Sequence, residues 1–147
     1  MIAAVVFLVV EMVLVAMTGM SIWAPIQMMG AILLGTAVLP PPAAFAFGVF
    51  LAAMLVHFTL SIIYAFIVGA LVKGRDLAVA IGIGLVFGLM LYIINFFIMT
   101  AFFPWFAEGR GWVNVIAHLV FGATAAWVYV RARGESYTGG TLEEQPT

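Results

Sequence analysis

Residues 54–72 read MLVHFTLSIIYAFIVGALV, nineteen positions in which one imidazole and a few hydroxyls interrupt an otherwise apolar run. A stretch of ~20 apolar residues at ~1.5 Å rise matches the hydrocarbon thickness of a bilayer, so this segment predicts a membrane-crossing helix. Its single histidine, His57, then sits where few groups can hydrogen-bond. The rest of the chain is of the same character. Of 147 residues 67% are hydrophobic and only 7% charged, against roughly a quarter charged in a soluble domain. Such a chain cannot cover itself with polar side chains and must face lipid over most of its surface.

Composition removes several functions. A net charge of −1 with five basic residues gives no footprint for nucleic acid. The absence of cysteine removes disulfides, thiolate chemistry and Cys-ligated metals. No Ser–His–carboxylate spacing, phosphate-binding loop or metal-ligand cluster is present, so a non-enzymatic role is expected. The nine methionines read as apolar filler.

Four segments are apolar enough for spans: 2–18, within 43–72, 77–103 and 112–130. The first lacks the basic start of a signal peptide and carries Glu11 within the run, so a retained helix is expected. Between the first two spans, Pro25 suits a first helical turn, and the apolar stretch 25–34 is too short to cross. An interfacial or re-entrant helix is expected there, with Trp23 at headgroup level. These elements make one membrane domain over 1–133, and the polar segment 134–147 predicts a disordered tail. The expected fold class is an all-α four-helix bundle built from two tandem helix pairs, plus the short interfacial helix.

Basic residues set the orientation. Lys73, Arg75, Arg131 and Arg133 fall on one side of the predicted spans and Arg110 alone on the other. The positive-inside rule places both termini in the cytoplasm, with Trp23 and Trp105 at the outer face.

The second and fourth spans share a pattern. Ala53, His57, Ser61, Ala65 and Gly69 recur at every fourth position, as do Asn114, His118, Gly122 and Ala126. Side chains four apart share a helix face, so each helix offers a small or polar stripe with one imidazole on it. Counted from the cytoplasmic ends, the two rings differ in depth by only ~4–5 Å. Both helices run out to in, so the repeat axis would lie along the membrane normal. The third span adds Gly84 and Gly88 in a GxxxG arrangement, with Gly82 nearby, and small residues let membrane helices approach closely.

Ionisable and amide groups in lipid normally face the bundle interior. The candidate cluster is Glu11, His57, Ser61, Asn95, Asn114 and His118, with Tyr64, Tyr92 and Thr100 as milder groups. Three readings of the histidines stay open. They can be packing residues, hydrogen-bonded to Ser, Asn or Tyr of a neighbouring helix, with Asn114 and His118 paired to each other. No cofactor is expected, although the histidines can also be the two axial ligands of a b-type haem. Or, with Glu11, they can mark a path for protons or a small solute.

The stretches GMSIWAPIQMMGAILLG (19–35), AMLVHFTLSIIYAFIVG (53–69) and FFPWFAEGRGWVNVIAHLVFG (102–122) resemble a group of small four-span proteobacterial membrane proteins. More distantly the chain is similar to the YagU-type inner-membrane proteins. The resemblance covers roughly residues 2–133 and implies a bacterial inner membrane. Members of the group often carry the label sodium:proline symporter, which does not suit so short a chain, because true sodium–solute symporters have ten or more spans. The role expected from all this is an accessory or structural membrane component, with the lipid bilayer, a second copy or a larger membrane complex as its partners. A proton or small-solute transporter is the alternative, and haem-based electron transfer the second.

Overall fold

The computed structural model describes residues 1–139, with side chains to residue 133. Every regular element among them is helical: α1 (Ile2–Met17), α2 (Ala24–Leu34), α3 (Phe47–Val72), α4 (Leu77–Ile93) and α5 (Trp112–Gly139), with single helical turns between them. Three helices are long and apolar enough to cross a membrane, Phe47–Val72, Leu77–Ala101 and Trp112–Arg133, which marks the chain as a membrane protein. Helix α1 is apolar but has 16 residues, about 24 Å at the helical rise, somewhat short of a ~30 Å hydrocarbon core.

Local sequence explains the boundaries. Asp76 caps α4, its carboxylate accepting the Val79 N–H at 3.0 Å. Gly35 ends α2 at φ +79°, a positive-φ conformation that side-chain-bearing residues rarely adopt. Pro25 sits in the first turn of α2, as its missing N–H suggests. At the far end of the chain the outcome differs from expectation. Helix α5 continues past residue 130 to Gly139, so 134–139 prolongs the helix, while 140–147 lies outside the described residues. Composition alone does not end a helix that already has a nucleus to grow from.

Helices α4 and α5 run antiparallel and pack at backbone distance. A Cβ added to Gly84 would land on the Gly122 carbonyl, one added to Gly88 on the His118 carbonyl, and one added to Gly122 on the Gly84 carbonyl. Gly69 lies against the Tyr129 ring, so the same small residues also set the approach of α3 to α5. Ala53 and Ala126 are fully buried, Ala65 half-buried. Gly82, two positions from Gly84, points away from this interface and meets no neighbour.

Helix α1 packs mainly on α5 and less on α3. The pairing expected from a tandem repeat, α1 with α3, is therefore the looser of the two. The 73–76 turn and residues 131–133 lie at one end of the bundle, and the N-terminal end of α1 points toward it from the level of His57, where Ala4 sits. Helix α2 and residues 103–111 form the other. There Trp105 Nε1–H donates to the Met28 carbonyl (2.9 Å), and Gly30 lets α2 close onto Val49 of α3.

Candidate functional site

The second half of the Leu77–Ala101 helix supplies the geometry. After Ile93 it widens into a π-helical stretch over Ile94–Ile98 and then tightens into a 3-10 turn over Met99–Ala101. Such bulges re-aim side chains and recur at functional sites. Here the bulge carries Asn95, whose Nδ2–H donates to His118 Nε2 at 3.1 Å. Since the ring accepts at Nε2, it is neutral and protonated at Nδ1, which donates to the Asn114 carbonyl at 2.7 Å. Both nitrogens of His118 are engaged. Arg110 holds the bulge from outside. Its Nε–H donates to the Phe96 carbonyl (2.7 Å), Nη2–H to Thr100 Oγ1 (3.3 Å), and its guanidinium lies 4.6 Å from the Phe97 ring centroid.

His57 makes the corresponding bond on the other side. Its Nε2–H donates to the backbone carbonyl of Ala4 (3.0 Å), tying α3 to α1. The partner is a carbonyl, not the Ser, Asn or Tyr side chain expected from sequence. Between the rings stands Phe7, its centroid 5.5 Å from His57 and 5.0 Å, edge-on, from His118. Both imidazoles are buried, and at this level the Phe7 ring of α1 touches the histidines of both α3 and α5.

That arrangement does not fit bis-imidazole ligation of a single iron. The space a porphyrin plane would need is filled by Phe7, and each Nε2, the nitrogen that would face the metal, already has a partner. Among the described residues no group of three or more His, Cys, Asp or Glu side chains converges.

Above and beside the aromatic layer lies a cavity of about 770 Å³. All six polar residues singled out by sequence, Glu11, His57, Ser61, Asn95, Asn114 and His118, border it. The remaining wall is largely Met, Ile, Leu and Phe, with Met29, Ile32, Phe103 and Phe106 at the end near α2. Its size and mostly apolar lining with a few polar groups match small-molecule pockets in general. Sequence reasoning missed two contributors. Phe7 looked like any other apolar residue of α1, and no periodicity distinguishes it. The inner face of α2 lines the cavity because Trp105 and Gly30 fix that helix against the bundle, contacts 77 and some 20 positions away in sequence.

Several polar groups in the cavity wall, among them Ser61, Tyr64, Glu11 and one atom of Asn114, lack hydrogen-bond partners among the described residues. The Glu11 carboxyl forms no hydrogen bond or ion pair. Asn114 donates through Nδ2 to the Gly109 carbonyl (2.8 Å), but its buried Oδ1 accepts nothing.

Two measurements check this geometry. Asn95→Leu leaves His118 Nε2 without its donor and should lower stability by about 1 kcal/mol, since interhelical bonds in membranes average ~0.6 and reach ~1.7. The thermal midpoint of the detergent-solubilised protein reads it. Arg110→Met removes the donor to Phe96 and should speed amide exchange over 94–101 while leaving α3 unchanged, because the freed carbonyl is costly only where the bulge stays dry.

No family model, curated protein or solved structure matches this chain.

Proposed function

We propose that the chain is a non-enzymatic, four-span component of a bacterial inner membrane, acting as an accessory or structural member of a larger assembly or of a homo-oligomer. In this reading α1 is the fourth span, both termini are cytoplasmic, and α2 lies at the outer surface. The observation that carries it is the state of the two histidines. Their hydrogen bonds go to backbone and amide groups of the chain itself, His57 joining α3 to α1 and His118 joining α5 to the bulge that follows α4. Residues used in this way fix helix register rather than perform turnover. The outward faces of α3 and of the Leu77–Ala101 helix remain rich in large apolar groups such as Leu55, Phe66, Val86 and Phe97, suited equally to lipid or to another apolar helix.

The distribution of charge supports the orientation. Lys73, Arg75, Arg131 and Arg133 gather at one end of the bundle and Arg110 stands at the other, in line with the positive-inside rule. The tandem relation of the two helix pairs is part of the same reading, supported by the matching stripes on α3 and α5.

Affinity capture in mild detergent tests the role. The chain should elute in a stoichiometric assembly, with itself or with another membrane protein, and a monodisperse monomer would count against it. Because the chain has no cysteine, single cysteines report topology. Glu108→Cys should react with an impermeant maleimide on intact spheroplasts and Arg75→Cys only after lysis.

A second reading, movement of protons or a small solute, has one observation in its favour: the unpartnered Glu11 in the cavity wall. Reconstituted vesicles in which Glu11→Gln leaves every measured flux at the protein-free level of leakage would remove it.

A further inference from the structure

We propose that the cavity is a binding site for one membrane-soluble amine, a molecule with a protonated nitrogen on a long apolar body. Its nitrogen would lie between Glu11 and Asn114. Its body would run along Met29, Ile32, Phe103 and Phe106.

Helix register puts the two polar groups at one level. Glu11 is four residues beyond Phe7 on α1, and Asn114 four before His118 on α5. Phe7 packs edge-on against His118 and the helices run antiparallel. Both groups therefore sit one turn, ~5.4 Å, to the same side of the aromatic layer. Each lines the same cavity.

What these groups offer selects the ligand. The Asn114 amide N–H is taken by Gly109, so its free valence is an acceptor. His57 gives its Nε2–H to Ala4, so the neutral ring has only an acceptor left. Glu11, once ionised, is an acceptor with a negative charge. A carboxylate in a low-dielectric wall needs a cation or strong donors, and an orphaned buried carbonyl oxygen needs an N–H or O–H. A protonated amine supplies both through one atom. No cation among the described residues competes: Arg110, also on the cavity wall, directs its guanidinium to Phe96, Thr100 and the face of Phe97. The other charged residue on the wall, Glu108, is exposed near the mouth and adds negative potential there. The volume, about 770 Å³, lies within the ~300–1,000 Å³ that holds a drug-sized ligand, far more than a bare ammonium or metal ion needs. The surplus wall is apolar and calls for an apolar body.

This inference stands apart from the accessory role, since partner capture and ligand binding can succeed or fail independently. The test uses the whole chain in lipid nanodiscs with two probes that carry the dansyl group at the far end of the alkyl chain, 12-(dansylamino)dodecylamine with its free terminal amine and 12-(dansylamino)dodecanol of the same length. Energy transfer from tryptophan, with Trp112 on the cavity wall, reads binding after subtraction of empty nanodiscs. The amine should bind saturably, one per chain, and about tenfold or more tighter than the alcohol. Glu11→Gln should weaken the amine about tenfold and leave the alcohol nearly unchanged, whereas Glu108→Gln should shift either by less than about twofold, as a rim charge does. Non-saturable signal equal to empty nanodiscs, equal affinity for amine and alcohol, or an amine affinity unaltered by Glu11→Gln would each overturn the proposal. Should Glu11→Gln fail to fold, judged by circular dichroism, the amine-to-alcohol ratio on the unaltered chain decides alone.

Discussion

Gly122→Ala should cost about 3 kcal/mol or more, a large effect for the addition of one methyl group. The added carbon would fall on the Gly84 carbonyl and come within 3.0 Å of the Gly88 nitrogen. Neither neighbour is the tip of a flexible side chain that could swing aside. Relief requires α4 to move away from α5 as a unit, which lengthens every contact along the seam, including the Asn95–His118 bond further along it. In a bilayer no solvent-driven attraction pulls the helices back together, because lipid tails are as apolar as the seam, so close packing is most of what holds the pair. Gly82→Ala is the matched control. It lies on the same helix as Gly84 but meets nothing within 4 Å, and should be neutral or stabilising by up to ~1 kcal/mol through helix propensity. Thermal midpoints of the two variants in one detergent, measured side by side, should therefore move in opposite directions or differ by many degrees. Equal midpoints would mean that the α4–α5 seam is not where the fold is held.

The contrast between Gly82 and Gly84 also marks what a sequence can and cannot disclose here. Small residues at fourfold spacing identified Gly84, Gly88, Gly122 and Ala126 as packing residues, because helical geometry converts that spacing directly into a shared face. Gly82 is half a turn away and gives no compositional hint of being idle. The polar cluster was legible for the same reason. In a chain with so few polar groups in its spans, Glu11, His57, Ser61, Asn95, Asn114 and His118 stand out against an apolar background, and the physics of lipid drives them inward. Their partners were not legible. Ala4 accepts from His57 through its backbone, which every residue has, and Asn95 reaches His118 only because the helix changes pitch at Ile94. A π-helical turn leaves no residue-type signature in INFFI. Helix α5 likewise outran the apolar pattern that predicted its end, since the pattern tracks burial and not helical continuity. The helices were thus readable from periodicity, while their contacts depended on backbone groups and local pitch, which periodicity does not encode.

Phe7→Ala should be the most disruptive single truncation of a side chain in the bundle, about 3 kcal/mol or more, the range for a buried Phe. Phe7 is 7% exposed and touches four things that nothing else brings together: the His57 ring, the His118 ring, Phe121 at 6.2 Å between centroids, and the wall of the cavity. Removing it opens a void continuous with a cavity that is already there, so the neighbours have no closed shell to collapse from. The loss is in packing contacts, which lipid does not replace inside the bundle. Helix α1 should suffer first, since it is the shortest of the apolar helices proposed to cross, and its hold on α3 is the His57–Ala4 bond beside the lost ring. Faster amide exchange in α1 and around Ala4, with the glycine seam between α4 and α5 largely protected, is the expected pattern. Phe7→Leu separates shape from volume: it refills much of the space without the edge-on contact to His118, and should recover more than half of the loss. If Phe7→Leu behaves like Phe7→Ala, the aromatic contact to the imidazoles dominates over filling. If neither variant changes α1 protection, the helix is held by its backbone packing on α5 and the His57–Ala4 bond, and the aromatic layer is incidental to the fold.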